Sequence, residues 1–171
     1  MKPDLFWIPG PWRGRLAIAA RPRGGDWLED EARDWHSAGI DELVSLLESE
    51  EAAQLGLDQE RLAVEANGMR FTSFPIPDRG VPHSMEAAVT LLREIAERLT
   101  EGKRIAIHCR QGIGRSGVVA SGVLVAGGMT PDAALDAVRS ARGILIPETE
   151  EQRQWVRCLL PEHMFAASRE A

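Results

Sequence analysis

Short apolar runs alternate with longer amphipathic stretches along this chain, and the two periods predict strands and helices in turn. The clearest helix covers residues 84–100, where apolar side chains recur every three or four positions. Runs with the length and composition of strands lie at 15–20, 41–47, 69–74 and 104–108. Further helices are predicted at 26–39, capped by Asp26, over most of 48–67, and at 117–126, 131–140 and 149–160. This order predicts an α/β fold with a short central, mainly parallel sheet flanked by helices.

The length of the chain and the continuity of its pattern predict a single domain. A chain of 171 residues suits one domain with a substantial core, and no repeat or linker interrupts it. We expect the domain to occupy residues 1–171, with a core from about residue 15 to 160. The ends are expected to be partly frayed, above all at 166–171.

The most informative segment is the run from His108 to Ser116, which joins the predicted strand 104–108 to the predicted apolar helix 117–126. A strand-to-helix turn of this kind directs backbone N–H groups and the positive end of the helix dipole into one concavity. The segment therefore predicts a site for a tetrahedral oxyanion such as phosphate. The residues predicted to bind it are Arg110, Gln111, Gly112, Ile113, Gly114 and Arg115.

Three side chains of this loop supply candidate chemistry. Helix N-termini and nearby cations lower a thiol pKa from about 8.5 to roughly 3.5–7.5, so Cys109 is predicted to be largely thiolate at neutral pH. The planar fork of Arg115 can bind two phosphate oxygens. Ser116 can donate a hydrogen bond to the Cys109 sulfur and ease its departure from a covalent intermediate. The loop thus predicts a nucleophile next to an anion site.

The pattern His108-Cys109, five residues, Arg115-Ser116 resembles the signature of the cysteine-dependent protein tyrosine and dual-specificity phosphatases. The resemblance implies that Cys109 is the nucleophile, that Arg115 binds phosphate, and that His108 helps to set the thiolate through the loop. It also implies a dual-specificity-phosphatase-like fold and two-step hydrolysis through phosphocysteine. That chemistry needs no metal and no cofactor, and the histidines and cysteines lack metal-ligand spacing.

Such an enzyme also needs an acid for the leaving oxygen, and the Pro-rich segment 74–82 contains Asp78. Prolines and a glycine around this carboxyl predict a loop that can move over bound phosphate. In the family that it resembles, the acid lies in a similar Pro-Asp loop. The large tyrosine-specific members have Trp where this chain has Ile76, so the resemblance favours the shorter dual-specificity type.

A second family segment, Gln-Thr-x-x-Gln, helps to place the hydrolytic water in tyrosine phosphatases. In this chain Glu148 replaces its first Gln, and only Gln152 matches the last. Thr149 and Gln152 also have the spacing of a capping box that opens a helix. The two interpretations are compatible, because a capped helix is also a fixed support.

Composition limits the partners. The net charge of −6 argues against nucleic acid, and no apolar run is long enough to span a membrane or serve as a signal peptide. Two cysteines indicate a reducing compartment, so we expect a cytoplasmic protein in which Cys158 is a core thiol. The expected partners are a phosphorylated protein or peptide substrate and phosphate or a similar oxyanion in the site.

Alternatives remain within and beyond the superfamily. Its phosphoinositide 3-phosphatases carry two lysines where this chain has Arg110 and Ile113. This difference favours a phosphoprotein substrate, while lipid headgroups and small phosphates stay open as alternative substrates. A sulfurtransferase of the rhodanese type also has a cysteine after a strand, although its loop is usually shorter. A phosphatase fold that binds phosphoproteins without turnover is a further alternative.

Overall fold

The computed structural model describes residues 2–160, 162 and 164, so the predicted fraying of 166–171 lies outside the described residues. Within them, five strands form one sheet in the order β1-β2-β5-β3-β4. β1 pairs antiparallel with β2, and the other neighbours are parallel. The predicted α/β fold with a mainly parallel sheet is confirmed. The strands are β1 (Phe6–Ile8), β2 (Arg15–Ala19), β3 (Glu42–Ser45), β4 (Arg70–Ser73) and β5 (Arg104–His108).

Seven α-helices connect or follow the strands in the described part of the chain. Three of them begin at side-chain caps, since Ser84, Thr130 and Thr149 each accept a backbone N–H three residues on. The helices are α1 (Leu28–Ser37), α2 (Ser49–Gln54), α3 (Glu60–Ala66), α4 (Met85–Thr100), α5 (Gly114–Ala126), α6 (Pro131–Arg142) and α7 (Glu150–Arg157).

Three local predictions were wrong or incomplete. The sequence pattern missed β1, because three residues between prolines are too few to show a period. Asp26 does not cap α1; it lies in a 3-10 turn (Gly25–Trp27), and Trp27, the residue before α1, makes no side-chain cap. The helical stretch 48–67 is divided into α2 and α3 by a turn that includes Gly56, with a φ of 69°.

The sheet separates a larger core from a smaller one. Along β5, Ile105 and Ile107 belong to the larger core, which α4 and α5 cover, whereas Ala106 belongs to the smaller core under α1 and α3. α5 is buried over its whole length, which explains why its sequence is apolar on nearly every side. β5 therefore runs through the centre of the domain, and its carboxyl end emerges between β2 and β3.

Candidate active site

The segment between β5 and α5 is a loop at the carboxyl end of the central strand, as predicted. We call residues 109–115, which include the first two residues of α5, the phosphate loop. It forms the floor of a cavity of about 160 Å³. The residues that line this cavity are Asp78, Arg79, Cys109, Arg110, Gln111, Ile113, Gly114, Arg115 and Glu148.

Cys109 lies at the bottom of the cavity and is 3% exposed. Burial by itself would raise the pKa of its thiol. The Ser116 hydroxyl, the backbone N–H groups of Ser116 and Ile113, and the charge of Arg115 outweigh burial and lower the pKa below its ordinary value. The loop therefore favours the thiolate.

Ser116 is fully buried in the first turn of α5. Its hydroxyl makes no well-aligned hydrogen bond with another protein group in the described structure, yet it lies close enough to lower the pKa of Cys109. A hydroxyl rotates freely about its C–O bond, so its proton can turn to the sulfur when the sulfur is charged.

Arg115 is 2% exposed and is held by a carboxylate that the sequence analysis missed. Glu51, from α2, contacts Nη1 at 2.7 Å and Nη2 at 3.0 Å, and Nη1 also donates to the Ile76 carbonyl at 3.2 Å. Burial would lower the pKa of Arg115, but the hydrogen bonds and charge of Glu51 raise it. The same hydrogen bonds lower the pKa of Glu51. The pair fixes the guanidinium before any anion arrives.

Asp78 is brought to the same guanidinium from the loop before α4. Its Oδ1 lies 3.2 Å from Arg115 Nη2, and its side chain is 62% exposed. The next residue, Arg79, has a φ of 59°, a left-handed conformation that is uncommon outside glycine. Arg79 also lies 3.7 Å from Glu148 at the rim of the cavity. The predicted acid and the predicted phosphate loop therefore form one site.

Gln152 forms the capping box that the sequence predicted, and its side chain also contacts the loop that contains Asp78. It forms the capping box with Thr149, in which each side chain bonds the other residue's backbone N–H at 3.1 Å. Its Nε2 also donates to the Gly80 carbonyl at 3.0 Å, two residues beyond Asp78. A methyl group added to Gly114 would lie 3.0 Å from this amide nitrogen. Gln152 thus connects α7 to the loop that contains Asp78, residues 74–82, which we call the acid loop, and lies close to the phosphate loop.

Gly112 is the member of the phosphate loop that does not line the cavity. It has a φ of 67° and packs on the end of β2, where a methyl group would lie 2.4 Å from the Ala19 carbonyl oxygen. Its own carbonyl accepts a hydrogen bond of 3.2 Å from Arg142 Nε at the end of α6. The Arg142 guanidinium lies 4.0 Å from the centre of the Phe6 ring in β1. These contacts hold the loop against the sheet.

Cys158 follows α7 and is exposed, so the prediction of a core thiol was wrong. The amphipathic pattern of this segment directs Val156 into the core and leaves position 158 outside. Among the residues that the structure describes, no helix is long and apolar enough to cross a membrane.

A buried cysteine with a lowered thiol pKa, in a loop at the carboxyl end of the central strand, fits the class of the cysteine-based phosphatases. A family model described as "PTP-SAK: Swiss Army Knife protein, DSP-PTPase phosphatase domain" matches residues 9–171. The chain belongs to this family.

Known proteins agree with the assignment. The structure of Tk-PTP in its active form is 33% identical, with a TM-score of 0.72, and the match covers 94% of this chain and 100% of that one. The structure of a kinase-associated phosphatase shares the fold, with a TM-score of 0.84 at 19% identity over 100% of this chain and 99% of that one.

Protein tyrosine phosphatase domain-containing protein 1 of Mus musculus is 33% identical over 139 residues, which are 75% of this chain and 18% of the mouse protein. Across the four curated relatives that it matches, the chain spans from 16% to 61% of their length.

Proposed function

We propose that this chain hydrolyses phosphomonoesters through a phosphocysteine intermediate and that its substrates are phosphorylated proteins. The proposal rests chiefly on one arrangement. A buried thiol with a lowered pKa shares its cavity with Arg115, and Asp78 lies 3.2 Å from that guanidinium. Nucleophile, anion site and acid then surround a volume suited to a phosphoryl group.

In the first step, the Cys109 thiolate attacks phosphorus, an S–P bond forms, and the P–O bond to the leaving group breaks. Asp78, as the carboxylic acid, gives its proton to the leaving oxygen. Arg115 and the backbone N–H groups of the phosphate-loop residues that line the cavity bind the three equatorial oxygens, where negative charge is spread in the transition state. Glu51 keeps the guanidinium in place throughout.

In the second step, water attacks the phosphocysteine. The Asp78 carboxylate takes a proton from the water, the S–P bond breaks, and inorganic phosphate and the Cys109 thiolate are released. Ser116 donates a hydrogen bond to the departing sulfur and so improves it as a leaving group. Gln152 donates a hydrogen bond to the Gly80 carbonyl and so fixes the acid loop relative to the attacking water.

The loop and its surroundings support the proposed substrate class. Arg110 supplies one cation at the rim, while the neighbouring wall is the apolar Ile113, an environment that suits a phosphorylated side chain on a peptide. Structures with the same fold include TpbA in complex with phosphotyrosine and PTPMT1 in complex with PI(5)P. Both kinds of phosphate therefore belong in the assay.

Because a thiolate nucleophile must stay reduced, we also propose a cytoplasmic location.

The matched pair Cys109→Ser and Cys158→Ser tests the nucleophile. The assay measures phosphate release from phosphotyrosine, phosphoserine and phosphothreonine peptides and from PI(5)P, together with thiosulfate turnover. We expect phosphotyrosine hydrolysis by the wild type and by Cys158→Ser, and none by Cys109→Ser. Hydrolysis by Cys109→Ser would contradict the proposal.

The same assays separate the alternatives. Thiosulfate turnover without phosphate release would identify a sulfurtransferase. Phosphopeptide binding without turnover in the wild type would identify a binding module. Faster hydrolysis of PI(5)P than of any phosphopeptide would replace phosphoprotein by lipid as the substrate class and leave the chemistry unchanged.

A further inference from the structure

Glu60 and His108 form a buried acid–base pair directly behind the nucleophile. Side chains alternate along β5, so His108 lies on the same face as Ala106, under α3. There Oε1 of Glu60 lies 2.8 Å from Nε2 of His108, and the two side chains are 3% and 0% exposed. The contact has the length of an ion pair without the alignment of a good hydrogen bond. No other side chain in the described structure pairs with the Glu60 carboxylate.

The contact made by the other ring nitrogen indicates which protonation state of His108 fits this environment. Nδ1 of His108 lies 3.2 Å from the carbonyl oxygen of Cys109. Both neighbours of the ring are therefore oxygen acceptors. Beside a Glu60 carboxylate, a neutral imidazole would leave a nitrogen lone pair facing an oxygen lone pair at one of the two contacts, whereas the imidazolium presents an N–H to both oxygens.

We propose that Glu60 is a positioning residue: it keeps His108 as the imidazolium, which holds the Cys109 carbonyl and stabilises the neighbouring thiolate. The role in turnover rests on the proposed function, but the effect on the thiol does not. Glu60 touches no reacting atom and acts only through His108. Replacing Glu60 should therefore change the pKa of Cys109 while the shape of the phosphate-loop cavity stays the same.

The surroundings of the pair support this role. Burial would lower the pKa of His108, but the charge and close contact of Glu60 and the Cys109 carbonyl raise it. The strands on either side place Ala19 and Ser45 next to His108, and neither titrates. The titratable groups that act on the pKa of His108 are Glu60 and Cys109. A carboxylate buried this deeply without a cation would destabilise the folded protein, so Glu60 needs the positive charge of His108.

Two charged neighbours of Glu60 lie beside it without joining the pair. Asp58 and Arg61 line the same cavity as Glu60, one of about 320 Å³ that is separate from the phosphate-loop cavity. Arg61 is directed elsewhere, toward Glu65 at 3.2 Å and the ring of Phe71. Neither residue forms a hydrogen bond or an ion pair with His108 in the described structure.

Glu60→Gln tests the proposal when the reaction of Cys109 with iodoacetamide is followed against pH. The Cys158→Ser background removes the exposed thiol. Without the carboxylate, His108 loses its proton and the thiolate loses a neighbouring positive charge. We expect the Cys109 pKa to rise by about one unit, which lowers alkylation about tenfold on the acidic side of the transition.

Glu42→Gln is the matched control. Glu42 is buried like Glu60 and also holds a cation, Arg98, at 2.6 Å, but it lies at the opposite end of β3 from the phosphate loop. It should weaken the fold without changing alkylation of Cys109. An unchanged Cys109 pKa in Glu60→Gln, or an equal shift in Glu42→Gln, would overturn the proposal.

A measurement on the unsubstituted protein keeps the proposal testable if Glu60→Gln fails to fold. Imidazole ¹⁵N resonances, assigned with a His108→Gln variant, should show His108 protonated on both nitrogens at neutral pH. A neutral His108 there would contradict the proposal. Alkylation needs no turnover, so this result stands apart from the phosphatase assays: an active Cys109→Ser would refute the proposed function while leaving the thiol titration intact.

Discussion

Gly112→Ala tests how closely the phosphate loop must pack on β2. A methyl group at this position would lie 2.4 Å from the Ala19 carbonyl oxygen and 2.5 Å from its carbon, whereas ordinary contact begins near 3.4 Å. Backbone atoms cannot turn aside as a flexible side chain can, so loop and strand must separate by about 1 Å. Cys109 and Arg115 lie on the same short loop and must move with it.

The size of the effect follows from two terms. Alanine in the left-handed conformation costs about 1–2 kcal/mol of unfolding free energy. A displacement of about 1 Å in groups that position a substrate costs about 100-fold in rate. We therefore expect kcat for a phosphotyrosine peptide to fall about 100-fold in Gly112→Ala while most of the protein stays folded.

Gly68→Ala is the control that separates the two terms. Gly68 has a φ of 79°, but a methyl group there meets no heavy atom within 4 Å, and the position follows α3, away from the cavity. Denaturant unfolding should show a similar loss of about 1–2 kcal/mol, and steady-state kinetics should show wild-type activity. Equal activity in the two variants would refute the packing argument.

Three further predictions concern the side chains around the loop. Asp78→Asn should lower kcat by about 10²–10⁴-fold and leave vanadate binding intact; an unchanged pH–rate profile would place the acid elsewhere. Because its folded-state pKa is lowered, Glu51 adds stability that is present above the ordinary carboxyl pKa and lost as pH falls through the folded value. Glu51→Gln should therefore unfold more easily at neutral pH, and its difference from the wild type in denaturant titrations should shrink in acid; a constant difference would contradict the lowered pKa. Gln152→Glu keeps the oxygen that caps α7 but loses the donor to the Gly80 carbonyl, so kcat should fall with little change in melting temperature, whereas a large loss of stability alone would assign Gln152 only the cap.

The features that the sequence predicted well are local. The strand, the glycine turn and the apolar helix around Cys109 are adjacent along the chain, so their order specifies a phosphate loop without knowledge of the fold. The capping box of Thr149 and Gln152 is equally local and is confirmed. The catalytic and binding roles given to these residues stay predictions until the assays are done.

The features that the sequence could not predict depend on contacts between distant elements. Glu51 and Glu60 lie in an acidic, Ala-rich stretch whose pattern is typical of an exposed helix, yet they pair with the buried side chains of Arg115 and His108. Only the fold brings α2 and α3 next to the carboxyl end of β5. The sequence around such a carboxylate does not indicate that it pairs with a buried cation. The cation that offsets the loss of its hydration is more than forty residues away along the chain.

The hydrogen bond from Arg142 to the Gly112 carbonyl gives the edge of the sheet an influence on the catalytic loop. Arg142 stacks on Phe6, so the short outermost strand β1 supports, through one guanidinium, a loop with which it shares no backbone pairing. Loss of β1 would remove the ring on which Arg142 stacks and would leave its hydrogen bond to the Gly112 carbonyl less well supported. A short strand at the edge of the sheet thus helps to fix the position of the nucleophile, although the strand itself lies outside the active site.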